Sequence, residues 1–272
     1  MQYKLKKIRS DASFREFFRL EKGNKTSIII TARKEKFKNL IAYSAINKFL
    51  RDKGIHAPKT ISQHFSDGIM EIEDFGNNTL LHFVRQSKNI FPLYKKSIDV
   101  ILKLQKIKPI NKIKIKSNRN LKLNNYNLKN LHKESDLFLN WYLPGIIGKT
   151  KSKKFKKKIK TELNKLYKKI YFKNEFIVHR DFHVSNIMPV KSKLGIIDTQ
   201  DAILGNPMYD VASLIDDVRI QIPLLVKNKI FQYYFKKSFL KKNMHILKND
   251  FDILSIQRNL KILGIFYRLN KR

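Results

Sequence analysis

The stretch from Phe176 to Asp198 limits what this chain can fold into more than any other part of it. The apolar run Phe176-Ile177-Val178 stops at His179-Arg180-Asp181, Asn186 follows, and a second apolar run, Leu194 to Ile197, ends at Asp198. Short apolar runs bounded by polar residues read as buried strands, so the segment predicts strand, loop, strand. An Asp just beyond a strand can accept a hydroxyl proton, while an amide oxygen and a further carboxylate can reach a divalent cation. Asp and Asn also cap turns, and that role would account for either residue alone. It leaves His179, Arg180 and the placement of Asp198 unexplained. His179 reads as a histidine bracing the loop backbone, and His183 as facing the same cleft.

The stretch is also out of character with its surroundings. Lys and Arg number 58 against 22 Asp and Glu, a formal charge of +36, yet Glu175 to Asp217 holds seven acids against three bases. So basic a chain ordinarily suggests nucleic acid or an anionic membrane as partner. Here Lys, Asn and Ile are abundant throughout, which is a compositional bias, so neither partner is expected. The acidic island instead calls for a cation or a reaction. With no cysteine there are no disulfides or thiolate metal sites, and oxygen ligands point to magnesium. The longest apolar runs fall well short of the roughly 20 residues of a membrane span, and Met1 to Ser10 lacks a secretory pattern. A soluble, cytoplasmic protein is the expectation.

Along the chain, Phe17 to Leu20 and Ser27 to Thr31 predict a hairpin around Lys22, Gly23 and Asn24. Phe37, Leu40, Ile41, Ala45 and Phe49 recur at helical spacing, ending near Gly54 and Pro58. Ile69 to Glu73 alternates like a half-buried strand, and Asp74-Phe75-Gly76-Asn77 follows as a turn where a lobe boundary is placed. Beyond it helices are predicted over Leu93 to Lys106, Ser135 to Tyr142 and the lysine-covered stripe Phe155, Ile159, Leu163, Leu166 and Ile170. Asn111 to Asn130 reads as a polar connection.

Val178 to Asn186 fits the His-Arg-Asp, four residues, Asn catalytic loop of protein kinases. The segment resembles the aminoglycoside phosphotransferase and choline kinase-like superfamily, which phosphorylates small molecules. More narrowly, Ser10-Asp11-Ala12-Ser13-Phe14-Arg15 is similar to the nucleotide-loop segment of bacterial anomeric N-acetylmuramate and N-acetylglucosamine kinases. Asp136-Leu137-Phe138 with Trp141-Tyr142-Leu143, Ile197 to Ala202, Tyr209 to Leu214, and Gln257 to Lys261 with Gly264-Ile265-Phe266 look like the same subfamily in the same order.

The fold this resemblance implies is α+β, protein-kinase-like and two-lobed, with a small β-rich N-terminal lobe over residues 1–74 and a mostly helical lobe over 75–272. ATP and Mg2+ are the implied cofactors. Asp181 would be the catalytic base, Asn186 and Asp198 the metal ligands, and Ser10, Asp11, Ala12 and Ser13 with Arg15 the turn over the phosphates. Glu71 to Gly76, including Glu73 and Asp74, would form the hinge that binds the nucleotide. His183, Gln200, Asp201, Trp141 and Arg258 are candidate substrate contacts, and the implied substrate is the anomeric hydroxyl of a cell-wall amino sugar.

The chain departs from the wider pattern in two places. No Val-Ala-Ile-Lys motif lies on the Ser27 to Thr31 strand, so Arg15 or Arg33 would supply the phosphate-pairing charge, with Arg15 preferred. The metal acid sits in Asp-Thr-Gln-Asp, so no protein-kinase-like activation-loop switch is expected. Asp201, Asp216 and Asp217 would favour a cationic acceptor such as an aminoglycoside, whereas Arg219, Arg258 and Lys261 would favour a carboxylate-bearing sugar. A non-catalytic nucleic-acid-binding protein on the same scaffold is the alternative of another class. The intact Asp181, Asn186 and Asp198 speak against it.

Overall fold

A computed structural model describes residues 3–8, 15–33, 37–115, 120–240 and 243–271 of the chain. The predicted phosphate turn at Ser10, Asp11, Ala12 and Ser13 lies outside them. The chain divides into two compact units, Met1–Leu123 with Asp181–Ala202 and Asn124–Arg180 with Ile203–Arg272. The expected lobe boundary at residue 74 falls inside the first unit.

The first unit begins with strands β1 (Tyr3–Ile8), β2 (Arg15–Lys22) and β3 (Lys25–Ala32), then helix α1 (Phe37–Asp52) and strands β4 (Thr60–His64) and β5 (Ile69–Glu73). Among the described residues they form an antiparallel sheet in the order β1-β2-β3-β5-β4. Alternation along β3 sends Ile28 and Ile30 to one face, where the register sets them opposite Ile72 and Met70 of β5. Leu40 and Tyr43 of α1 close over these four to make the core of the sheet. Burying each such side chain contributes about 1.5–3 kcal/mol, which fixes α1 against the sheet. The helix stops where Gly54, at φ 77°, donates to the Arg51 carbonyl and Ile55 donates to Leu50, a Schellman ending that needs a left-handed residue.

Helices α2 (Leu80–Gln86) and α3 (Phe91–Gln105) and the small hairpin β6 (Lys112–Lys114) with β7 (Asn120–Lys122) complete the N-terminal part of this unit. On α3, Tyr94, Ile98, Ile101, Leu102 and Gln105 form the buried stripe. In the second unit, α4 (Leu128–Leu137) starts at a capping box in which Asn127 and Asn130 exchange side-chain bonds. The predicted helix over Ser135 to Tyr142 therefore begins earlier, inside the stretch read as a connection. It changes to a π-helical turn over Phe138–Tyr142 before α5 (Leu143–Ile147) and α6 (Lys149–Lys168). The predicted stripe is covered towards its C-terminal end: Leu163 and Ile170 are buried, while Phe155 is exposed.

Strand β8 (Phe176–Val178) follows and pairs antiparallel with β11 (Ile203–Gly205). Between them the chain enters the first unit, where β9 (Ile187–Val190) and β10 (Lys193–Ile196) form a hairpin. Helices α7 (Met208–Ile215), α8 (Leu224–Lys237) and α9 (Met244–Asn270) finish the second unit. α7 is buried on every side, and Gly264 of α9 lies so close to α4 that a Cβ would stand 2.3 Å from the Leu137 carbonyl carbon. Among the described residues no helix is long and apolar enough to cross a membrane.

Candidate active site

The segment folds as the expected strand, loop and strand. After β8 the amides of His179 and Arg180 donate to the buried carboxylate of Asp210 on α7, at 2.8 and 3.0 Å. Burial pushes that carboxyl above the usual range, although both amides and the nearby His179 and Arg258 favour its charged form. The Arg180 carbonyl accepts from Arg258 at 3.2 Å, and Arg180 itself adopts φ 74°. A left-handed arginine is costly and persists only where its surroundings hold it. Asp210 was part of the acidic island in the sequence, and only the fold reveals it as the anchor of this backbone.

Asp181 and Asn186 stand in the first unit. The Asn186 side-chain nitrogen donates to the Asp181 carbonyl at 3.0 Å, and the His183 amide bonds the same carbonyl at 3.1 Å. The Asn186 nitrogen also lies 3.3 Å from Nε2 of the buried His183 ring. With its nitrogen engaged, the amide oxygen is the atom that remains for a cation. The hairpin begins at Ile187, directly after Asn186, and it returns so that the Ile197 amide donates to the Asn186 carbonyl at 3.0 Å. This bond brings Asp198 beside Asn186.

Asp198 has φ 65° and ψ 40°, a second left-handed residue at the site. It is held from several sides. Its Oδ1 accepts from Arg15 Nη2 at 2.6 Å and from Gln200 Nε2 at 3.0 Å. Arg15 Nη1 donates to Gln200 Oε1 at 2.9 Å, and the guanidinium lies over Phe17 and Tyr43. The next residue, Thr199, donates from its hydroxyl to Asn47 Oδ1 on α1 at 2.6 Å. Asn47, fully buried, escaped the sequence reading because its helical position is that of an ordinary core residue. Burial raises the neighbouring Tyr43 hydroxyl to about 12, so it remains protonated.

The remaining candidates fall into groups. Asp201 is exposed and accepts from Gln200 at 3.2 Å. Asp74 is locked to Arg19 by bonds of 2.6 and 3.0 Å and accepts from the Gly76 amide; burial opposes its charge, but these bonds hold its carboxyl below the usual range. Glu73 pairs with Arg51 at 3.2 Å. Trp141 and Arg258 belong to the second unit, Trp141 half exposed in the π-helical turn and Arg258 buried against Tyr209. The charges weighed for the acceptor prove to be engaged within the protein: Asp216 with Lys227, Asp217 with Arg219, and Lys261 with Glu134. Neither set argues for one acceptor charge.

Phosphotransferase enzyme family sequences match residues 4–245 of the chain. An N-acetylmuramate/N-acetylglucosamine kinase of Pseudomonas aeruginosa is 25% identical over 268 residues, covering 97% of this chain and 76% of that protein. One of Pseudomonas putida is 27% identical with the same coverage of both chains, 97% and 76%. Among solved structures, an aminoglycoside-3'-phosphotransferase of type VIII superposes with a TM-score of 0.64 at 10% identity, covering 95% of this chain and 93% of that one. A choline kinase from Streptococcus pneumoniae gives 0.63 at 13% identity, covering 99% and 92%. Such low identities speak for the fold, which is the expected α+β, protein-kinase-like one with an antiparallel N-terminal sheet and a helical C-terminal part. With the Asp-x4-Asn loop and the later Asp intact on that fold, the chain belongs to the phosphotransferase enzyme family and is a kinase.

Proposed function

We propose that the protein transfers the γ-phosphoryl group of ATP to the anomeric hydroxyl of N-acetylmuramate or N-acetylglucosamine. The observation that carries the reaction is the Ile197 to Asn186 backbone bond, which sets Asp198 next to the Asn186 amide and one short loop from Asp181. The acceptor rests on the curated kinases of that name, which align with nearly the whole chain.

In this reading the acceptor oxygen attacks the γ-phosphorus, the bond to the bridging oxygen breaks, ADP leaves, and the acceptor proton passes to Asp181. Asn186 Oδ1 and the Asp198 carboxylate are the oxygens that would hold magnesium. The donor set, one amide oxygen and one carboxylate, fits that ion, which commonly takes one or two protein ligands with phosphate and water. When bound, it neutralises the charge that develops on the phosphates. Arg15, paired with Asp198, would serve the phosphates where the usual lysine is missing. Arg15 and Gln200 hold the Asp198 carboxylate in one orientation on its left-handed backbone, so positioning supplies much of the rate.

An ATP-consumption assay across amino sugars, aminoglycosides and choline tests the class of acceptor. Phosphorus NMR of the product then distinguishes an anomeric phosphate from a 6-phosphate. Turnover with N-acetylated amino sugars and a 1-phosphate product is expected. A 6-phosphate, or turnover only with aminoglycosides, overturns the assignment.

A further inference from the structure

A buried carboxylate in the second unit has no part in the reaction as described. Glu134 of α4 accepts hydrogen bonds from four side chains and pairs with a fifth, Lys261. Its Oε1 takes Arg180 Nη2 at 2.5 Å and Lys261 Nζ at 3.3 Å. Its Oε2 takes the Tyr126 hydroxyl at 2.6 Å, and the Tyr209 hydroxyl and Gln257 Nε2 each at 3.2 Å. These donors fill the roughly four acceptor directions that a carboxylate possesses. Burial works against the charge of Glu134, but Lys261, Arg180 and the Tyr126 hydroxyl outweigh it and hold the carboxyl at about 2.

The hub converges on one residue. Arg180 is gripped at its side chain by Glu134, lies over the Tyr126 ring at 5.8 Å, and gives its carbonyl to Arg258, which itself stacks on Tyr209. Its amide is held by Asp210. Arg180 is thus held at its guanidinium, its amide and its carbonyl, although its backbone stands in the left-handed region that arginine disfavours. The following peptide bond leads into Asp181.

We propose that Glu134 is a positioning residue for phosphoryl transfer: by anchoring the Arg180 guanidinium it sustains the backbone turn that presents Asp181. The inference rests on Asp181 as the base. A carboxylate buried only to balance core charges would need no arginine in a strained conformation next to the reacting group. The cations are better explained as a frame whose shape, set by Glu134, is copied into the loop.

The test compares Glu134→Gln with the double variant Glu134→Gln/Lys261→Met, using the acceptor that wild type turns over best in the panel above. The single variant leaves Arg180 and Lys261 without their counter-charge, and the double variant removes one of them while the Arg180 anchor stays lost. In Glu134→Gln, kcat falls about 10–100-fold, as for other groups that orient reacting residues, while KM for ATP moves less than about threefold. The double variant regains the unfolding midpoint but not kcat. If Glu134→Gln does not fold, the charge-balanced double variant carries the same comparison. A kcat within about twofold of wild type in a folded variant, or a kcat that recovers in step with the midpoint, overturns the proposal. Asp181→Asn, measured alongside, reports separately on the base: if it keeps full turnover, the reading of Asp181 fails whatever Glu134 does.

Discussion

Arg15 and Asp198, 183 positions apart in the sequence, share a 2.6 Å ion pair. The guanidinium is almost wholly covered, while the carboxylate keeps about a third of its side-chain surface open, at 35%. An open carboxylate already ordered by a covered cation is well placed to meet a nucleotide-bound cation without losing its direction. Charge-assisted hydrogen bonds are worth about 1.5–3 kcal/mol, or roughly 10–150-fold. Arg15→Met is therefore expected to raise KM for ATP by about that factor. Steady-state kinetics at saturating acceptor check this, and an unchanged KM and kcat would remove Arg15 from the site.

Asp181→Asn should leave the unfolding midpoint and ATP affinity near wild type, because the loop is held through the Asp181 carbonyl, which the substitution keeps. Turnover should drop by about 10²–10⁴, the usual contribution of a general base. Rapid-quench assays of the purified variant decide it, and near-wild-type turnover would take the base role from Asp181.

Asp198→Ala and Asn186→Ala should differ in kind. A carboxylate neutralises a cation while an amide only coordinates it, so the Asp198 variant loses the magnesium dependence of ATP binding more completely. Isothermal titration with and without magnesium is the measurement. Equal dependence in wild type and the Asp198 variant would mean the metal is held elsewhere.

Glu134 gives a pH signature of stability. Its folded carboxyl, at about 2 against an ordinary 4.5, lies below the unfolded value. The associated stabilisation is therefore complete above pH 4.5 and is lost as pH falls toward 2. It is worth on the order of 3 kcal/mol. Urea unfolding of wild type and Glu134→Gln should differ most near neutrality and converge toward pH 3. A gap independent of pH would show that the charge of Glu134 contributes nothing to folding.

Several elements were readable in advance for a plain reason. Ile69 to Glu73 and Phe176 to Val178 are isolated apolar or alternating runs between turn residues, and they form β5 and β8 over those same residues. The elements that escaped carry weaker signals. β1 alternates lysine with apolar residues along an exposed edge, where lysines discourage pairing with other chains. β4, Thr60–His64, has one aliphatic residue, and β9 contains Pro189, which argues against a central strand but is tolerated in a two-stranded hairpin. The start of α4 is hidden by Lys129, Asn130 and His132, its only clear mark being the Asn127 cap.

The site divides along the same line. Asp181, Asn186 and Asp198 were visible because their spacing lies within one short segment. The pairs Arg15 with Asp198, Thr199 with Asn47 and Glu134 with Arg180 join residues far apart in sequence, and no periodicity records which will meet. Arg258 and Lys261 could be weighed for the acceptor because charge alone does not reveal which partners a side chain has inside the protein.

The pairing of Val178 with Ile203 ties the excursion that carries Asp181, Asn186 and Asp198 at its base, and the β9–β10 ladder ties it again close to its tip. At that tip Lys191 and Ser192 are exposed, with Lys191 at φ 53°. A tryptic nick after Lys191 would cut the covalent path between the Asn186 and Asp198 sides of the hairpin while leaving both ladders in place. The two fragments would then remain docked like the halves of a complementing pair, and the excursion behaves as a clasp fastened at two points and not as a strap that depends on an unbroken chain.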